Sequence, residues 1–299
     1  RNKQSDIASI CFAMACPPDP IDFSLAENWS FGGDARILND TTNRKFSKLV
    51  SRVTEDDIQL PTMTKLAINY DVCLSPEIAV AYNRAVSRAK NLRIRIQRES
   101  TRFAKLVLSR LISLLQKLSF MITCPILAEH GAVEVSKNEE LMQAAIESPT
   151  AAVLELVNEL RQLQSQGHMR IVVASVHVSL LRVVSGHIKA TCPDLGELFH
   201  FNGKLTNKKK DEIKHDFLNS SVGILFLGVI SGGQGLHLVP GCNAMILFGA
   251  APWSSADCDQ LFKRIHRIGQ TKPVSISYMV PYGGVDASIY SIHGCKKRL

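Results

Sequence analysis

The sequence predicts an α/β fold, a parallel sheet with helices on both faces, preceded by a mostly helical region. Three observations carry this. After Gly167, short apolar runs alternate with helical segments, the signature of βαβ units. From Ser75 to about Gln166, apolar residues recur at three and four spacing, the helical period. The chain of 299 residues is 45% hydrophobic, enough to build one large core or two ordinary ones.

Residues 1 to about 60 are mixed, with CPPDPIDF and SFGGDARILNDTTN as loop signals and little periodicity. The helical region opens on SPEIAVAYNRAV, where Ser75 is a cap, Pro76 takes the first helical position and Glu77 stands in the first turn. Its longest apolar run, Leu111 to Ala128, is broken by Gln116 and Lys117. That run reads as a buried helix with its following turn, and no membrane partner is expected. Gly167 closes the region. Beyond it RIVVASV reads as a strand, SLLRVVSGHIKATC as a helix, ELFHFNG as a strand and NKKKDEIKHDFLN as a helix. GILFLGVI and AMILFG follow as strands, SADCDQLFKRIHRI as a helix, VSISYMV as a strand, and DASIYSIHGC begins a last helix. Parallel sheets bind ligands at the carboxyl ends of their strands, and the arginines of the helix after AMILFGAAPW are expected near that edge.

The formal charge of +8 and pI near 9.1 point to a polyanionic partner. Eight cysteines without a CxxC pair fit neither a zinc module nor a secreted disulfide framework, and a reduced intracellular compartment is expected. No metal site is expected. The chain begins on Arg1 without a signal peptide and reads as a fragment.

Two stretches carry candidate chemistry. In DQLFKRIHRIGQTKPV, Gln260, Arg264 and Arg267 stand at i, i+4 and i+7, one face of a helix. Such a face is either a solvated basic surface or a phosphate clamp, since guanidinium forks match phosphoryl oxygens and stay charged. Leu261, Phe262, Ile265 and Ile268 are expected to pack that helix. In ILFLGVISGGQGLHL a buried strand runs into Gly232, Gly233 and Gly235. Glycines there form either a tight turn or a nest of N–H groups for an anion. NGKLT lacks the first glycine and the Ser/Thr of a phosphate-binding loop, and DEIK follows three lysines instead of an apolar strand, so neither is a nucleotide motif.

Residues 223 to 280, GILFLGVISGGQGLHLVPGCNAMILFGAAPWSSADCDQLFKRIHRIGQTKPVSISYMV, resemble motifs V and VI of the second RecA-like lobe of SNF2-family ATPases, DNA translocases of superfamily 2. RIVVASVHVSLLRVV resembles motif IV, Gly203, Lys210 and Phe217 match a recurring spacing, and LPTMTKLAINYDVCLSPEIAVAY is similar to the junction between lobes. The resemblance spans about 168 to 283 strongly and about 44 to 130 faintly. It implies a remnant of the first lobe and linker at 1–60, a helical inter-lobe region with a basic helix at 61–166, and a RecA-like C-terminal lobe at 167–299. It also implies an ATP-driven motor on double-stranded DNA, for chromatin remodelling or repair, in the nucleus. ATP and Mg²⁺ would be held jointly with a first RecA-like lobe of the same protein. Arg264 and Arg267 would reach the phosphates, Gln260, Gly233 and Gly235 would line the nucleotide cleft, and Gly232 and Gln234 would face the DNA backbone.

The pattern departs from the family at Gly228 and Val229, where Ser-Thr is usual, at His237 for asparagine, at Gly249 for aspartate, and at Ser254 and Ser255 for Asn-Pro. These 299 residues contain neither a P-loop nor a Walker B acid pair, so this segment alone is expected to be inactive on ATP. The missing CxxC pair argues against the repair subgroup that carries a RING module between its lobes. Between Arg84 and Lys117 stand ten basic residues, among them Arg93, Arg95 and Arg98, against the single acid Glu99. That stretch is either a solvated face with Leu106, Leu108, Leu111 and Leu115 packed beneath, or a surface for DNA phosphates or an acidic protein. Two function classes follow: half of a DNA-dependent ATPase, or a non-catalytic DNA-binding or scaffolding relative.

Overall fold

The computed structural model describes residues 29–32, 35–38, 60–98, 101–229, 236–249, 252, 254–282, 284 and 286–287. The chain divides into two compact units, Arg1–Gln59 and Leu60–Leu299. In the first, β1 (Trp29–Gly32) and β2 (Ala35–Leu38) pair antiparallel, Trp29 opposite Leu38 and Gly32 opposite Ala35. This corrects the reading of SFGGDARIL as loop. Apolar residues flank a Gly-Asp step there, which is a hairpin signal when both flanks can pair.

The second unit contains a six-stranded sheet in the order β3-β8-β7-β4-β6-β5, and every pairing in it is parallel. Its strands are β3 (Met63–Tyr70), β4 (Arg170–Ser175), β5 (Glu197–Phe201), β6 (Gly223–Gly228), β7 (Ala244–Leu247) and β8 (Val274–Pro281). The central strands bury both faces, as apolar runs of β-branched residues require in a parallel sheet. Side chains alternate between two cores: Ile171, Val173, Ile224, Phe226 and Ile246 enter one, and Val172, Ala174, Leu225, Leu227 and Met245 enter the other. The expected α/β architecture is therefore present.

Helices before β4 fill the first core: α1 (Pro76–Arg98), α2 (Thr101–Thr123), α3 (Pro125–His130), α4 (Ala132–Lys137), α5 (Glu139–Glu147) and α6 (Ala151–Ser165). With α7 (Val178–Thr191) they contribute Leu118, Met121, Leu156, Leu160, Leu180 and Ile188. α8 (Asn207–Asn219) and α9 (Ser255–Phe262) cover the other face through Phe217, Cys258, Leu261 and Phe262. The expected bounds of α8 are met to the residue, because Thr206 caps it, accepting from the Lys209 N–H at 3.4 Å.

The basic stretch forms α1 and the start of α2, which pack along one another. Of the four leucines expected beneath it, Leu111 and Leu115 are half-buried and Leu106 and Leu108 are not. Leu106 and Leu108 are 51% and 45% exposed and Phe103 is 60% exposed, whereas Val107 and Leu118 are buried. The cause is length: at 1.5 Å per residue the two 23-residue helices outreach the core that their inner turns enter. α2 is apolar and long enough to cross a bilayer, but its inner end, Leu118 to Ile122, is packed inside the protein. The last expected helix starts at Asp286, whose first two residues are helical; the remainder lies outside the described residues. Asp286 is buried beside α2, accepts from the Ser119 hydroxyl at 3.0 Å, and burial pushes its carboxyl up to about 6.

Candidate functional site

α9 connects the carboxyl end of β7 to the amino end of the parallel strand β8, so it must run down the face of the sheet. Arg264 and Arg267 follow its far end. They therefore stand toward the amino edge of β8, which corrects the expectation that they lie near the carboxyl edge. The helix also ends earlier than its apolar period suggests, at Phe262 instead of Ile268.

Hydrogen bonds explain the early end. Arg264 N–H and Ile265 N–H donate to the carbonyls of Leu261 and Phe262, three residues back, which tightens the chain into turns. The Arg264 carbonyl accepts from Leu238 N–H at 3.1 Å, and the Ile265 carbonyl accepts from the Gln270 side-chain amide at 2.8 Å. Both carbonyls are thus taken by partners outside the helix. Gly269, at φ +99°, completes the turn in a backbone region that suits glycine. Ile265 is buried in the second core, but Ile268, expected to pack with it, is 67% exposed.

Gln270 is the fastener of this turn, and its role was not legible in the sequence. It is buried; its amide also donates to the Cys242 carbonyl at 2.9 Å, and its oxygen accepts from the N–H groups of Thr271 and Lys272, each at 3.1 Å. Gln270→Ala is expected to lower stability by about 2–4 kcal/mol, because buried backbone groups lose their partners. Chemical denaturation measures this, and a loss below about 0.5 kcal/mol would contradict the fastening role. His266 ties the same turn to the start of β3. Its Nε2–H donates to the Pro61 carbonyl at 2.8 Å.

The two arginines differ. Arg264 is half-buried and donates from Nη1 to the Leu236 carbonyl at 3.4 Å, so with the Leu238 bond it clasps the chain on both sides of His237. Burial, and then the neighbouring charge of Arg267, draw its guanidinium below its usual range. Arg267 is exposed, and no carboxylate among the described residues pairs with it. Gln260 is exposed on α9, upstream of the turn. Gly232, Gly233, Gln234 and Gly235 lie outside the described residues, as does Trp253. Arg93 and Arg95 are exposed on α1, and Arg98 is its last residue, on an element separate from the arginine turn.

Gly249, at φ +73°, has a physical reason to lack a side chain. A Cβ there would come 2.8 Å from Leu180 Cδ2. At the same carboxyl edge, His177 precedes α7 with its ring 4.3 Å from that of Phe120, and burial lowers it to about 4.

The fold is similar to that of solved ATPase domains. The C-terminal part of the Fun30 ATPase domain aligns with a TM-score of 0.55 at 16% identity, covering 79% of this chain and 90% of that one. The Sulfolobus solfataricus SWI2/SNF2 ATPase core in complex with double-stranded DNA aligns with a TM-score of 0.56 at 21% identity, covering 78% of this chain and 44% of that one. No protein-family model matches the chain. Among curated proteins, DNA repair protein RAD5 of Saccharomyces cerevisiae is 28% identical over 182 residues, 59% of this chain and 15% of the relative. Helicase-like transcription factor of Mus musculus is 29% identical over 184 residues, 60% of this chain and 17% of the relative. The fold is therefore that of a RecA-like lobe. The chain is similar to a part of each of these curated proteins, and its fold resembles that of the C-terminal part of the Fun30 ATPase domain. It spans about a sixth of the length of these curated relatives.

Proposed function

We propose that this chain is the second lobe of an ATP-dependent DNA translocase acting in repair or chromatin remodelling in the nucleus. In this reading Arg267 is an arginine finger on ATP·Mg²⁺ held by a first RecA-like lobe, and Arg264 is its neighbour at the phosphates. The observation that carries the reading is the exposed guanidinium of Arg267, free of any carboxylate among the described residues, on a turn that Arg264 fastens to the chain on both sides of His237. A cation left unneutralised on a buried-backed turn is placed to meet charge from another body, and a transferring phosphoryl group supplies such charge. Gln260, Gly233 and Gly235 would line the cleft, and Gly232 and Gln234 would meet the DNA backbone. Arg93, Arg95 and Arg98 would add contacts to duplex phosphates, which are independent of sequence.

The chain by itself should not turn over ATP, because these residues include no P-loop and no acid pair for Mg²⁺. Joined to the P-loop lobe of a matched relative, it should acquire DNA-stimulated hydrolysis. Turnover by the purified chain alone, surviving removal of contaminating ATPases, overturns the division of labour. A second reading, a DNA-binding or scaffolding relative without a motor, draws on the departures at Gly228, Val229, His237, Gly249, Ser254 and Ser255. A complementing lobe that restores no hydrolysis, while duplex binding persists, favours it.

A further inference from the structure

We propose that Lys214, His237 and Arg267 together form one binding site for a phosphoryl oxyanion. The inference rests on the phosphate-contacting reading of Arg267 and adds two residues that the motif pattern does not assign.

The geometry is set by three elements. His237 stands between Leu236 and Leu238, and both neighbours are tied to Arg264, one through its guanidinium and one through its carbonyl, so His237 is held against the turn that carries Arg267. Further along the same segment, a Cβ on Gly241 would lie 2.7 Å from Leu218 Cδ2, so the segment runs against α8, one turn from Lys214. The charges of Arg267 from the turn and of Lys214 from α8 both act on the imidazole. Arg264 flanks them, its guanidinium turned to the Leu236 carbonyl. No carboxylate among the described residues pairs with Lys214, His237 or Arg267. His237 Nδ1 is buried and has no hydrogen-bond partner among the described residues.

Partial burial, followed by the charges of Arg267 and Lys214, holds His237 below its usual 6.5, so it is mainly neutral at pH 7 when the site is empty. A bound oxyanion reverses that balance and favours the imidazolium. Binding therefore takes up a proton in the window between the lowered value of the free site and the raised value of the bound one. Affinity falls as pH rises through that window, and above it only Lys214 and Arg267 hold the anion. A phosphate probe titrates in the opposite sense, gaining charge above about pH 6, so its own ionisation cannot imitate the effect.

The test uses the full chain with inorganic tripolyphosphate as probe, by calorimetry from pH 5.5 to 8 in two buffers of different ionisation enthalpy. The expected result is proton uptake, with affinity weakening by up to about tenfold per pH unit inside the window. His237→Asn should remove both the uptake and the slope and keep the pH 8 affinity within about twofold, because only the titrating group is lost. Lys214→Ala should weaken binding at every pH and keep the slope. Thermal unfolding of both variants confirms that they fold. Repeating the series with ATP and with a mixed-sequence duplex separates a nucleotide phosphate from a backbone phosphate, by which of the two shows the His237-dependent slope. A tripolyphosphate affinity that neither variant changes overturns the site. Loss of turnover in Arg267→Ala without any effect of the other two leaves the arginine finger standing and removes only this extension.

Discussion

Arg267→Ala, in a two-lobe enzyme that includes this chain, is expected to lower kcat by about 10³ while nucleotide affinity stays within a few-fold. A finger acts on charge that develops in the transition state, so ground-state binding has little to lose. Stability should hardly change, because Arg267 is exposed and the packing of its turn comes from Leu261, Phe262, Ile265 and the Gln270 bonds. Arg264→Ala should behave differently. It releases the Leu236 carbonyl and loosens the segment carrying His237, so a drop in stability is expected along with the drop in rate. A kcat for Arg267→Ala within a few-fold of the parent would return the turn to a plain basic surface.

Duplex DNA should bind this chain without sequence preference, and affinity should fall by roughly 10³ between about 50 and 200 mM salt if six or more phosphates are contacted. The basis is α1 and α2, where Arg84, Arg88, Lys90, Arg93, Arg95, Lys105, Arg110 and Lys117 are all exposed. Replacing Arg93, Arg95 and Arg98 by glutamine should reduce the slope of log affinity against log salt by about 2.7, near 0.9 for each phosphate no longer neutralised. An unchanged slope would assign the stretch to solvent alone.

The sheet was open to reading because its physics is local. A strand buried on both faces must be a short apolar run, and RIVVAS, GILFLG and AMIL are that. α8 announced both its ends through Thr206 and the polar run after Phe217. The end of α9 was hidden, because apolar periodicity continues to Ile268 while the carbonyls that should sustain the helix are taken by Leu238 and Gln270, far away in sequence or beyond the turn. The WSFG–ARIL hairpin was missed for a related reason: pairing depends on both flanks, and each alone reads as irregular. At the site, the motif spacing picked out Arg264 and Arg267, whereas the packing of the segment after His237 against α8, through Gly241 and Leu218, joins elements that no spacing connects.

β3 joins the sheet beside β8 with Tyr70 level with Pro281, and α1 departs six residues beyond Tyr70, its first turns held in the core through Ile78, Tyr82 and Val86. The basic helices are thereby bolted to the same plate that carries the arginine turn, and they act as an arm on it. A helix of 23 residues is about 35 Å long, so turning the plate by about 5.6° carries the far end of the arm some 3.4 Å, roughly the rise from one phosphate to the next along a DNA strand.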